Sequence, residues 1–149
     1  MPDIARNRYA TYRYNLLDKW ECGVALVGTE VKSMRDGKVQ LKDAYAVVRE
    51  GEIWLENMHV APYPNARDNH DPERPRKLLM HKREIERLIG KTHERGLTLV
   101  PTRVYFKGPR VKVELALAKG KDLYDKRRAL KEKDQRREMQ RALGERGGR

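Results

Sequence analysis

The sequence predicts a mainly β protein: a small, partly open antiparallel β-barrel of about six strands, with interspersed helices and a basic C-terminal tail. Two observations carry that prediction. Short stretches rich in aromatic and β-branched residues recur between turn signals from Tyr9 to Ala118, as in small barrels. The chain then changes character at Ala118-Lys119-Gly120-Lys121. Before that point Val111, Val113, Leu115 and Leu117 alternate with Lys112, Glu114 and Ala116, the period of a half-buried strand. After it, from Lys119 to Arg149, 12 Lys or Arg stand against 6 Asp or Glu, half of the chain's net +12.

Taken in order, residues 1–8 read as a short basic arm, followed by strands at Tyr9 to Leu17 and Trp20 to Val27. Gly28-Thr29 breaks the chain, and Thr29 is placed to cap a short helix through Arg35 that Asp36-Gly37 stops. Ala44 to Arg49 and Glu52 to Asn57 are strands joined at Glu50-Gly51. Pro62 to Pro75 has no apolar rhythm and reads as a loop. Pro75 to Gly90 predicts a helix, with Leu78, Ile85, Leu88 and Ile89 in one stripe, Leu79 on its flank and Met80 outside it. Leu99 to Lys107 and Val111 to Ala118 form a closing hairpin around Gly108-Pro109. Beyond Gly120 there is little apolar surface to dock, so the tail is expected to be disordered alone and to order on a partner.

Composition narrows the function. With 149 residues, one domain and a tail is the natural organisation. A sequence pI near 10.0 asks for a polyanion. The tail offers only Leu123, Tyr124, Leu130, Met139 and Leu143 as spaced apolar residues, too few for a membrane-surface helix. No stretch reaches a transmembrane length, and Met1-Pro2-Asp3-Ile4 lacks an apolar signal core. The single Cys22 excludes an internal disulfide and points to the cytoplasm; its strand pattern makes it a packed thiol rather than a nucleophile.

Catalytic chemistry finds little support. His59, His70, His81 and His93 lie 11 or 12 residues apart, with no metal-ligand spacing, so neither metal nor cofactor is expected. Asn69-His70-Asp71 is the best acid–base cluster, and such loop residues usually cap turns. The basic residues are more specific. Lys126, Arg127 and Arg128 follow Tyr124-Asp125, which joins a stacking ring to phosphate neutralisation. Near the N-terminus Arg6, Arg8 and Arg13 interleave with Tyr9, Tyr12 and Tyr14, and alternation leaves some of these rings available for stacking. Glu21 could accept from base amino groups or 2′-hydroxyls, or orient a nearby Arg; Glu30 would serve the dipole of its short helix.

Several stretches together resemble one family. Gly28-Thr29-Glu30-Val31-Lys32-Ser33-Met34-Arg35 is similar to a segment of the small protein B (SmpB) family of bacterial trans-translation. So are Arg74 to Ile85, Gly96 to Pro101, Arg110 to Glu114, Ala118 to Lys121, and Tyr124 to Arg127. The resemblance runs from about Asn7 to Arg141. It implies an oligonucleotide-binding-like (OB-like) barrel over 1–120 and a tail over 121–149 that is helical on the ribosome. It also implies a non-enzymatic, monomeric adaptor that binds the tRNA-like domain of tmRNA and reaches stalled ribosomes with elongation factor Tu, the tail occupying the empty decoding centre and mRNA channel. Carried over by position, the tmRNA face would comprise Asn7, Glu21, Leu79, Lys119 and Lys121. Tyr124, Asp125, Lys126 and Arg127 would contact small-subunit rRNA. One departure is Arg13, which stands where an acid is usual in the family.

Overall fold

The computed structural model describes residues 3–92 and 97–120. Nine strands and three helices follow in the order β1 (Asp3–Arg6), α1 (Ala10–Arg13), β2 (Tyr14–Val24), α2 (Gly28–Arg35), β3 (Val39–Gln40), β4 (Tyr45–Arg49), β5 (Glu52–Glu56), β6 (His59–Val60), β7 (Arg76–Leu79), α3 (Lys82–Thr92), β8 (Leu97–Lys107) and β9 (Arg110–Gly120). Six of the strands run as a ring, β8-β4-β5-β7-β2-β9, with β9 paired back onto β8. The ring is firm on one side and thin on the other. β9 pairs along most of both β2 and β8, whereas β4 meets β8 only at Ala46↔Leu99 and β7 meets β2 only at Gly23↔Leu79 and Val24↔Leu78. This is the partly open barrel that the sequence predicts.

Alternation explains the ring's interior. Ile53 and Leu55 of β5, Leu78 of β7, Leu99 of β8 and Val113, Leu115 and Leu117 of β9 point inward and are buried. Met34 of α2 and Leu88 of α3 close the ends of the same cluster. The opposite face of β8 and β9 carries a second, smaller cluster, in which Ala10 of α1 packs on Val100, Ala116 and Ala118. Small residues on β9 are what allow α1 to sit so close to the sheet.

Four expectations are corrected. The N-terminal arm is a strand: β1 pairs with β8 from Asp3↔Tyr105 to Arg6↔Arg103. Tyr9 to Arg13 is not strand, because Ala10–Arg13 form a helical turn before one long β2 whose register shifts between Leu16 and Asp18. The helix expected from Pro75 is two elements, a strand at Arg76–Leu79 and a helix from Lys82. Leu78 fits a helical stripe by spacing, but a strand slot between β5 and β2 claims it. Thr29 does not cap α2; the first free amide, that of Val27, donates to the Glu30 carboxylate at 2.9 Å. The end of α2 is as expected, with Gly37 in the left-handed region at φ +72°. So is the Glu50-Gly51 turn, where both residues have positive φ.

Candidate nucleic-acid interface

The outer face of β2, β9 and β8 carries the polar residues that alternate with the core. Glu21 lies midway along it and is exposed. Its carboxylate is held at both oxygens: the Tyr105 hydroxyl donates to Oε2 at 2.5 Å and Lys107 Nζ donates to Oε1 at 3.0 Å. Those bonds, Tyr105 first, hold its pKa below the ordinary carboxylate value, and Lys112 adds to the effect. Burial, and then the bond to Glu21, push the Tyr105 phenol up to about 12. Glu21 is therefore a clamped anion that fixes Lys107, rather than a free acid facing solvent.

Leu79 stands beside it. Its register partner is Gly23, two residues along β2 and so on the same face as Glu21. Leu78 fills the core, so alternation turns Leu79 outward, where it is 51% exposed. An apolar side chain left half-exposed on a polar face is available to a base or ribose.

Asn7 and Lys119 lie elsewhere. Asn7 follows β1, where its Nδ2 donates to the Pro101 carbonyl at 3.0 Å and its amide N–H to Thr102 O at 2.8 Å. Its Oδ1 is buried with no partner among the described residues. In the free protein, Asn7 thus ties the β1–α1 turn to β8. Lys119 is exposed near the end of β9, opposite Asn15. Since Tyr14 and Glu21 are seven residues apart in β2, that end lies about 23 Å from Glu21. The structure brings Glu21 and Leu79 together and leaves Lys119 toward the far end; Asn7 sits across β9 and β8 from Glu21, beside Thr102, whose hydroxyl donates to Glu114, the register partner of Glu21. Lys121, Tyr124, Asp125, Lys126 and Arg127 lie outside the described residues.

Glu30 does more than the sequence suggests. It is fully buried and receives Arg76 Nε at 2.5 Å, Arg74 Nη2 at 2.7 Å and Arg74 Nε at 3.1 Å. Arg76, also fully buried, spends its other nitrogens on the Met58 and Pro72 carbonyls. This cluster fastens α2 and the loop before β7 to the strand that presents Leu79. The only hint in the sequence is two arginines in alternation before an apolar pair.

The acid–base candidate is structural. His70 Nε2 donates to the Val60 carbonyl at 2.8 Å, and Nδ1 pairs with the Thr29 hydroxyl at 2.8 Å. Asn69 exchanges two bonds with the Tyr63 backbone, and Asp71 Oδ1 accepts from the Glu73 amide. Cys22 is fully buried, and burial pushes its thiol up to about 12. Among the described residues, no helix is long and apolar enough to cross a membrane.

Comparison with known proteins places these features in a family. Residues 4–145 match the SmpB protein family. An SsrA-binding protein of Carboxydothermus hydrogenoformans is 58% identical over 141 residues, covering 94% of this chain and 95% of that relative. One from Desulforudis audaxviator is 59% identical over 140 residues, covering 93% and 92%. A solved structure described as "tmRNA-SmpB: a journey to the center of the bacterial ribosome" is similar with a TM-score of 0.68 and 47% identity, covering 95% of this chain and 97% of that one. With a match of this length and identity, the chain belongs to the SmpB family.

Proposed function

We propose that this chain is the RNA-binding adaptor of trans-translation. The barrel binds the tRNA-like domain of tmRNA through the outer face that carries Glu21 and Leu79. Residues 121–149 then enter the empty decoding centre and mRNA channel of a stalled small subunit, and elongation factor Tu is engaged only through tmRNA. The adaptor acts in the cytoplasm as a monomer, without catalysis or cofactor. The observation that carries this reading is the identity of more than half to SsrA-binding proteins along nearly the whole chain. A half-exposed leucine beside a clamped Glu–Lys–Tyr group supports the placement of the RNA. The net +12 supplies the attraction.

The test is a titration of the full chain against tmRNA, with tRNA as competitor, at one stated salt concentration. Binding that excess tRNA cannot displace is the expected result. Equal displacement by tRNA would leave a general RNA binder and overturn the reading.

A further inference from the structure

The outer face does not end at Glu21. A groove of about 590 Å³ runs from it toward α1, lined among others by Arg8, Thr11, Lys19 and Arg103. Beyond the groove, on the other side of α1, the Arg13 guanidinium lies 5.5 Å and the Lys42 ammonium 5.3 Å from the centroid of one ring, that of Tyr9. Two cations gathered on one ring repel each other, and the ring offsets only part of that cost. Asp43, at 3.9 Å from Arg13, answers one of the charges. Neither Lys42 nor Arg8 has an ion-pair partner among the described residues. Tyr9 is 48% exposed and Tyr12 45%. By contrast, three cations nearer Glu21 are spent within the protein: Arg103 on Asp3 and Glu114, Lys19 on Glu114, Lys107 on Glu21.

We infer that Arg8, Arg13 and Lys42, organised around α1 by the Tyr9 ring, form a phosphate-binding site for RNA backbone, separate from the Glu21–Leu79 contact. Three observations favour phosphate over a carboxylate-bearing protein partner. The cations flank a short helix on both sides, Arg8 in the groove with Lys19 and Glu114 and Arg13 about 20 Å or more from Glu21 along β2, a spacing that suits successive phosphates along a strand or across a groove. The groove runs from Arg8 to Lys19 and Glu114, the register partner of Glu21. Exposed tyrosines next to unneutralised cations give a ribose or base a surface on which to rest. Arg13 also donates to the Lys42 carbonyl at 3.4 Å, which links the two cations through the backbone as well as through the ring.

This site rests on the RNA-binding reading, and one experiment separates their fates. Salt-dependent binding of wild type, Leu79→Ala and an Arg13→Glu/Lys42→Glu double variant is measured against two RNAs: a transcript of the tmRNA tRNA-like domain, and isolated small ribosomal subunits. Circular dichroism checks folding, and an Arg13→Gln/Lys42→Gln variant avoids new repulsion with Asp43. The double variants should bind at least one RNA about tenfold or more weakly. Their plot of log affinity against log salt should be shallower by about 1.5, the signature of two lost phosphate contacts. The RNA that responds identifies the source of the backbone. An unchanged slope and affinity for both RNAs in folded variants overturns the site, while loss on Leu79→Ala alone leaves the adaptor reading standing. If wild type binds neither RNA, both fall.

Discussion

Arg76 and Glu30 form a fully buried ion pair that joins β7 to α2 across 46 residues of sequence. Burial lowers the Arg76 pKa, and Glu30 opposes that shift. Such a pair contributes little as a pair, yet breaking it strands a charge in a dry site. Glu30→Gln, which leaves the buried Arg76 without a counter-charge, should therefore cost about 3–5 kcal/mol in urea unfolding, whereas after Arg76→Ala the carboxylate would keep Arg74. Adding Arg76→Ala should return part of the loss, because the stranded guanidinium is removed. Additive losses in the double variant would show that the pair is not coupled.

Acid should expose the same pair. Burial raises the Glu30 pKa, but bonds from Arg74, the Val27 amide and Arg76 outweigh it and hold the carboxyl below its ordinary 4.5. A carboxyl lowered in the folded state contributes stability that is complete above the unfolded value and is lost as pH falls through the folded one. Unfolding free energy should thus fall more steeply below about pH 4.5 in wild type than in Glu30→Gln. Equal slopes would assign the acid sensitivity to Asp3, Glu21 and Glu114, whose carboxyls are lowered as well.

Leu79 and its partner glycine separate binding from folding. Leu79 is half-exposed, so Leu79→Ala should change stability by less than about 1 kcal/mol. It should weaken tmRNA binding by about 1–3 kcal/mol if the side chain packs on a base. A Cβ at Gly23 would stand 3.2 Å from Leu79 Cβ, a contact that forces Leu79 to shift. Gly23→Ala should therefore weaken binding in the same direction with Leu79 still present. Melting curves and titrations on both variants check this, and a binding-neutral Leu79→Ala would leave the side chain idle.

How much of this was legible in the sequence depends on whether a signal was local. The β4–β5 and β8–β9 hairpins were, since alternation and turn residues sit next to each other in the chain. β7 was not. Its four residues are too few to set a period, and Leu78 happens to fall in phase with Ile85 and Leu88 of the following helix. Its inward arginine makes sense only once Glu30 arrives from α2. β1 was hidden for a similar reason: its ladder is with β8, about a hundred residues away. Leu79 lies on the flank of the predicted helical stripe, its place in the candidate interface comes from the family resemblance, and it is off the core because of strand alternation. The clamp on Glu21 depends on Tyr105 and Lys107, which no spacing connects to it.

Cys22 gives a simple reporter of the barrel's integrity. With the thiol fully buried and pushed up to about 12, it is protonated and inaccessible at pH 8. Ellman's reagent should react with the native protein only at the rate of global or local opening, and at once in urea. Fast labelling of the native state would mean that the thin β7–β2 seam beside Cys22 opens readily.

The clamp itself can be tested at Tyr105. Tyr105→Phe keeps the ring, whose centroid is 4.3 Å from the Arg103 guanidinium, and removes the donor to Glu21 Oε2. That donor is the largest of the causes that lower the Glu21 pKa, so its loss should move the Glu21 titration up toward its ordinary 4.5. Side-chain carbon shifts followed by NMR against pH would read the change directly. Lys107 should then be left as the main restraint on the carboxylate and become more mobile with it, which weakens RNA binding through looser positioning rather than lost charge. The salt slope should accordingly stay as in wild type while affinity falls. An unmoved Glu21 titration would assign the clamp to Lys107 alone.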